Sequence, residues 1–194
     1  MSQFGEIPVD TLSYFGIKPG ENWASFTLVR VIKDVPKNLP PEQLREWFSA
    51  QSPVGYVLVK NEEEFGESAK WKGPGGGKDA GDATPRDTAK REVEEEAGIV
   101  AGLHSFEYVS KYRNRKARGK VLWDCLFALT VTRSEQRRMN NDHPKNEGEV
   151  PRYFTPLTLH REVAKDGVLK NHWDSFVNEK LVPANNDQTP QKAA

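Results

Sequence analysis

Four glutamates crowd the stretch Arg91-Glu92-Val93-Glu94-Glu95-Glu96-Ala97-Gly98-Ile99, which follows the glycine run Gly75-Gly76-Gly77. On a helix, Glu92, Glu95 and Glu96 stand at i, i+3 and i+4 and share one face. Like charges at that spacing repel by roughly a few tenths of a kcal/mol per exposed pair. The negative C-terminal end of the helix makes their position worse. A divalent cation turns that penalty into binding energy. Clustered hard oxygen donors suit Mg2+ or Mn2+, with waters and a substrate phosphate completing the shell. The glycine run lets backbone approach metal and phosphates closely. Arg91 can hydrogen-bond carboxylates bidentately and hold them in position. Taken alone, the glutamates read as an ordinary solvated acidic helix; the joint pattern with the glycines sets them apart.

The elements that must position these residues are legible in outline. Thr84 and Pro85 read as N-cap and N1 of a helix, with Asp87 at N3. That helix is predicted over 85–97, with Ala89, Val93 and Ala97 as its buried stripe and Gly98 as its C′ stop. The lead-in from Trp71 to Asp87 is too rich in glycine and proline for regular structure. Strands are predicted over 25–35, 54–60, 105–112, 121–132 and 152–154. A short helix opens at Pro41, with Leu44, Trp47 and Phe48 on one stripe. Two more are predicted over 159–164 and 171–181, the last with Trp173, Phe176, Val177 and Leu181 inward. Residues 61–70, holding Glu62, Glu63, Glu64 and Glu67, and residues 133–148 read as loops. The chain divides into an N-terminal extension over 1–22, one domain over 23–183, and a disordered tail over 184–194.

The glycine–glutamate pattern resembles the Nudix box, G-x5-E-x7-R-E-U-x-E-E-x-G-U, with U a bulky aliphatic residue. Arg91, Glu92, Val93, Glu95, Glu96, Gly98 and Ile99 match its second half, and Trp71-x-x-Pro74-Gly75-Gly76 resembles its lead-in. The first half departs. The register G-x5-D-x8-R-E, from Gly76 through Asp82, places an acid correctly but carries one extra residue before the helix. The other register, from Gly77, puts Ala83 where the first glutamate belongs. Glu147 through Leu159 also resembles the late strand and helix of this family. The resemblance implies an α/β/α sandwich around a mixed β-sheet. It implies hydrolysis of a nucleoside diphosphate linked to another moiety, such as a nucleotide sugar, an ADP-ribose-like compound or a dinucleotide. Mg2+, with Mn2+ as substitute, would sit on Glu92, Glu95 and Glu96 and on a carbonyl of Gly76 or Gly77. Arg91 would position these carboxylates. The base that orients water is Glu95, Glu147 or Glu149. Homodimers are frequent among similar proteins.

Composition narrows the setting. At 194 residues the chain is a single-domain length, and 28 Lys and Arg balance 28 Asp and Glu. That balance argues against a polycation gripping nucleic acid, so no nucleic-acid partner is expected. No stretch approaches the ~20 apolar residues of a membrane span. Residues 1–10 lack the basic-then-apolar order of a signal peptide. The lone Cys125 cannot form an internal disulfide, and a reducing cytoplasm is the simplest setting. It alternates with Trp123 and Phe127 and reads as core.

The turn over 111–120 carries six basic residues and no acid. It reads as a solvated hairpin tip or as a cationic edge for substrate phosphates, with Arg113, Arg115 and Lys78 the candidates for phosphate binding; a third reading, contact with RNA phosphates, is disfavoured because Tyr112 is the single aromatic among the basic residues. The four histidines are scattered without metal-ligand spacing, and Asp124 and Tyr153 are pocket candidates by neighbourhood alone. Two alternatives stay open beside the hydrolase: a catalytically weak Nudix-fold nucleotide sensor, and an interaction domain without ligand.

Overall fold

The computed structural model describes residues 11–60, 70–114, 122–139, 150–163 and 173–174. In chain order the described elements are β1 (Asn22–Ile32), α1 (Leu44–Ala50), β2 (Gly55–Leu58), β3 (Gly75–Gly77) and α2 (Pro85–Ala97). There follow β4 (Phe106–Asn114), β5 (Leu122–Thr132), α3 (Arg133–Met139), β6 (Arg152–Phe154) and α4 (Pro156–Val163).

β1 is the axis of the molecule. It runs parallel to β5 along its whole length, from Asn22↔Leu122 to Ile32↔Thr132. Its other edge is shared: β3 pairs antiparallel with Ala24–Phe26, and β2 pairs antiparallel with Val29–Val31. The sheet order is β4-β5-β1-β2-β6, with β3 on β1. Side chains alternate between two covered faces, which is why β1 is buried nearly throughout. On one face, Trp23, Val29, Val31, Cys125, Phe127 and Leu129 meet Ala89, Val93 and Ala97 of α2. On the other, Leu28, Tyr56, Leu58, Leu126 and Phe154 meet Leu159 of α4. The result is the mixed-sheet α/β/α sandwich that the family resemblance implied.

Local signals account for most elements. Thr84 and Asp87 form a reciprocal capping box at the start of α2, and Gly98 ends it at φ 67, a left-handed conformation that glycine adopts without steric cost. Two segments depart from expectation. Gly75–Gly77, expected to be irregular, forms β3, because strand pairing uses backbone alone and the bare glycines let β3 lie directly on β1. Residues 133–139, expected as loop, form α3. Thr132 and Glu135 cap it reciprocally: the Thr132 N–H and hydroxyl donate to Glu135 at 2.6 and 2.8 Å, and the Glu135 N–H donates back at 3.3 Å. The Thr-x-x-Glu spacing was a readable signal for that helix. β1 also begins three residues earlier than predicted, at Asn22, and ends at Ile32. The expected helix over 171–181 and the tail over 184–194 lie outside the described residues, apart from 173–174.

Residues 11–21 pack into the main core. Phe15 and Ile17 are buried, and the Phe15 ring lies edge-on to Tyr108 and Phe127 at 5.2 and 5.9 Å. Phe15→Ala is therefore expected to lower unfolding free energy by about 3–5 kcal/mol, read by urea denaturation. Thr84→Ala is expected to cost about 1 kcal/mol. A Phe15→Ala loss below that of the cap variant would mean that this segment is only loosely attached.

Candidate active site

The rotation of α2 about its axis decides where its glutamates go. Ala89, Val93 and Ala97 are fully buried against the sheet. Glu92 and Glu96 precede two of them by one position, so they flank the buried stripe on the side facing β3. Both carboxylates are buried in consequence. Glu95 lies further round and keeps 31% of its side-chain surface exposed.

Glycine makes room for this arrangement. A Cβ at Gly76 would stand 2.6 Å from Glu92 Oε1, so any other residue there would push the carboxylate away. The Gly75 N–H donates to Glu96 Oε2 at 2.7 Å. Lys72 donates to Glu96 Oε1 at 2.6 Å and to the Gly75 carbonyl at 2.9 Å. Two carboxylates thus insert under a glycine strand, each against backbone.

Arg91 ties the loop to the helix. Its guanidinium pairs with Glu92 at 2.9 Å and with Glu95 at 2.8 Å. It donates to the Gly77 carbonyl at 2.9 Å and pairs with Asp82 at 3.0 Å. Burial works against the Arg91 charge, but Asp82, Glu95 and Glu92 outweigh it and raise its pKa further. Asp82 is buried and also accepts from Thr88 Oγ1 and the Asp79 N–H, both at 2.9 Å. Burial pushes its carboxyl up, yet the hydrogen bonds from Arg91, Asp79 and Thr88 together hold it below its ordinary value. Thr88 in turn accepts from the Trp23 indole at 2.9 Å, which anchors the network to the sheet.

The three expected metal-binding glutamates are therefore divided between two cations. Arg91 holds Glu92 and Glu95, and Lys72 holds Glu96. Among the described residues, no three His, Cys, Asp or Glu side chains converge as a metal-binding group. The donor chemistry nonetheless suits a hard cation. The wall consists of carboxylate and peptide oxygens, and the space beside Gly76 is one that a Cβ would fill.

The other expected residues fall as follows. Lys78 is exposed at the end of β3, with its ammonium 4.3 Å from the centre of the Trp23 ring. Arg113 is exposed on β4, and Arg115, Glu147 and Glu149 lie outside the described residues. Cys125 is fully buried, and burial pushes its thiol up to about 12, as suits a core residue. The Tyr153 hydroxyl donates to the Val54 carbonyl at 2.7 Å and so braces the start of β2. Lys72, Thr88 and Trp23 carried no sequence signal for the site. Their roles arise from strand pairing and helix packing between distant segments.

Comparisons with known proteins identify the family and the fold. The family model of the NUDIX domain matches residues 48–172. A NUDIX hydrolase from Nitrosomonas europaea is similar over 82% of this chain and 90% of its own, at 16% identity and a TM-score of 0.55. The Nudix hydrolase RenU from M. Smegmatis is similar over 86% of this chain and 91% of its own, at 14% identity and a TM-score of 0.52. At such identities the likeness is one of fold. Comparison with curated proteins finds no match. The family match spans more than half of the 194 residues, and the chain belongs to the Nudix hydrolase family.

Proposed function

We propose that this Nudix pyrophosphohydrolase uses Mg2+ or Mn2+ to cleave the diphosphate linkage of a nucleoside diphosphate joined to another moiety. The observation that carries this reading is the burial of Glu92 and Glu96 against Gly75 and Gly76. Two buried carboxylates flanking a helix stripe are costly in a purely structural role. They make sense as ligands awaiting a cation. Glu92, Glu95 and Glu96 would hold it together with a carbonyl of Gly76 or Gly77. When bound, such a cation withdraws charge from phosphate oxygens and makes its water a stronger nucleophile.

The chain's own residues supply positioning. Arg91 keeps Glu92 and Glu95 at a set spacing through its planar, multiply bonded guanidinium. Asp82 fixes Arg91 through charge-assisted hydrogen bonds. Glu95 is our candidate for accepting a proton from water, since it is the most solvent-accessible of the three. Glu147 and Glu149 are candidates for the same task. Lys78, Arg113 and Arg115 are candidates for receiving substrate phosphates. The buried free Cys125 supports a reducing, cytoplasmic setting. No helix among the described residues is long and apolar enough to cross a membrane.

The deciding experiment is a hydrolysis panel of nucleotide sugars, ADP-ribose, NADH, dinucleoside polyphosphates and nucleoside triphosphates. Each is incubated with Mg2+ or Mn2+, and products from 18O-water show which phosphorus is attacked. Hydrolysis of at least one diphosphate-linked compound is expected; none at all would overturn the reading. Glu96→Gln is expected to keep the fold, by circular dichroism, and to lower turnover at least ~100-fold. Near-normal turnover in that variant would remove Glu96 from the metal site.

Asp82→Asn is expected to lower turnover about 10- to 100-fold through Arg91. It should also change the acid limb of stability. Because the folded pKa of Asp82 is lowered, its stabilising contribution is complete above the unfolded value of about 3.9. It is lost as pH falls through that value toward the folded one. Acid unfolding of the asparagine variant should therefore show a shallower loss in that window, and identical acid limbs would contradict the assignment.

A further inference from the structure

Lys72 stands where a divalent cation would have business. Its ammonium bridges one carboxylate oxygen, Glu96 Oε1, and one peptide oxygen, Gly75 O, at 2.6 and 2.9 Å. That pairing of donors, one anionic and one carbonyl, is what a hard cation takes from a protein. The lysine is held beside the end of β2 by its backbone: Lys72 and Val59 exchange both N–H···O bonds at 2.9 Å. Its side chain keeps 30% of its surface exposed, whereas that of Glu96 keeps 2%. The ammonium therefore reaches inward from solvent along a flexible stem and can withdraw the same way.

We infer that Lys72 is a tethered cation that holds Glu96 and the Gly75 carbonyl in place and must be displaced before a divalent ion can use Glu96. The inference rests on the metal-dependent reading above. A buried carboxylate left uncompensated is destabilising, so a site that waits for its metal needs a substitute charge. An ammonium 2.6 Å from Glu96 Oε1 competes with a divalent ion for that oxygen, while the Gly75 N–H already occupies Oε2. Two cations so close also repel strongly in a buried setting. The lysine thus keeps the helix and glycine strand correctly spaced in the metal-free protein, and it lowers apparent metal affinity because the state open to the ion is only fractionally populated. A purely structural ion pair makes the opposite prediction: losing Lys72 would loosen the site and weaken metal binding.

The test is Mn2+ binding to the full chain by electron paramagnetic resonance, for wild type and for Lys72→Gln, Lys72→Met and Lys72→Arg. The glutamine retains a donor for Glu96 and safeguards folding, which circular dichroism checks. Glutamine and methionine variants are expected to bind Mn2+ at least ~10-fold more tightly than wild type, with the arginine variant near wild type. In the wild-type chain, the Lys72 ε-methylene signal, assigned by its loss in Lys72→Arg, is expected to shift as Mg2+ binds. Equal or weaker Mn2+ affinity in the folded glutamine variant overturns the inference alone. A Lys72 signal unmoved while Mg2+ binds does the same, whether or not the variants fold. No Mn2+ binding to any of the four chains overturns the metal-dependent reading, and this inference with it.

Discussion

The apolar contact of Ala89, Val93 and Ala97 with the sheet sets the rotation of α2, and the site follows from that rotation. A helix turned by one residue would carry Glu92 and Glu96 into solvent or into the core, and β3 would have nothing to cover. The residues at the contact are small: two alanines and one valine share one core with Trp23 and Cys125. β3 lies within a hydrogen bond of Glu96 through the Gly75 N–H. Packing and chemistry are here one constraint, since burial of the apolar stripe of α2 fixes where the carboxylates that flank it stand.

Charge compensation is the second layer. The fold buries Glu92, Glu96 and Asp82, which water would otherwise solvate. Arg91 and Lys72 repay that desolvation locally, and each also binds a backbone carbonyl of β3. Each cation therefore joins a carboxylate to the glycine strand, so the strand is fastened to the helix at two points. Removing either charge would leave a buried anion, a change worth several kcal/mol in comparable settings, roughly 3–5. The neutral total of 28 basic and 28 acidic residues conceals this local pairing.

β1 carries the burden of connection. It pairs with β5, β2 and β3, and its side chains contribute to both cores. Its Trp23 lies under α2 and reaches Thr88, while its Ser25 hydroxyl donates to the Pro85 carbonyl at 2.7 Å. The first turn of α2 is thereby pinned to the strand that also carries β3. Phe15 and Ile17 extend the same core to the segment preceding β1.

Much of this was legible from local pattern. The bounds of α2, its capping box, its buried stripe and its glycine stop follow from nearest-neighbour rules, and the structure agrees with each. β6 appears at the predicted residues, and β4 and β5 lie within two residues of theirs. The glutamates and Arg91 stood out because charge repulsion on one helix face is visible without any fold. By itself the sequence determined which side chains α2 carries and that three of its carboxylates crowd together. Only the tertiary structure decided which cations answer them. Lys72 reaches Glu96 because Lys72 pairs with Val59, and Trp23 reaches Thr88 because β1 runs beneath α2. These contacts join residues 24 and 65 positions apart, and no local periodicity encodes them. β3 eluded local reading for the same reason: three glycines have no strand preference of their own, and they become a strand only where β1 offers them an edge.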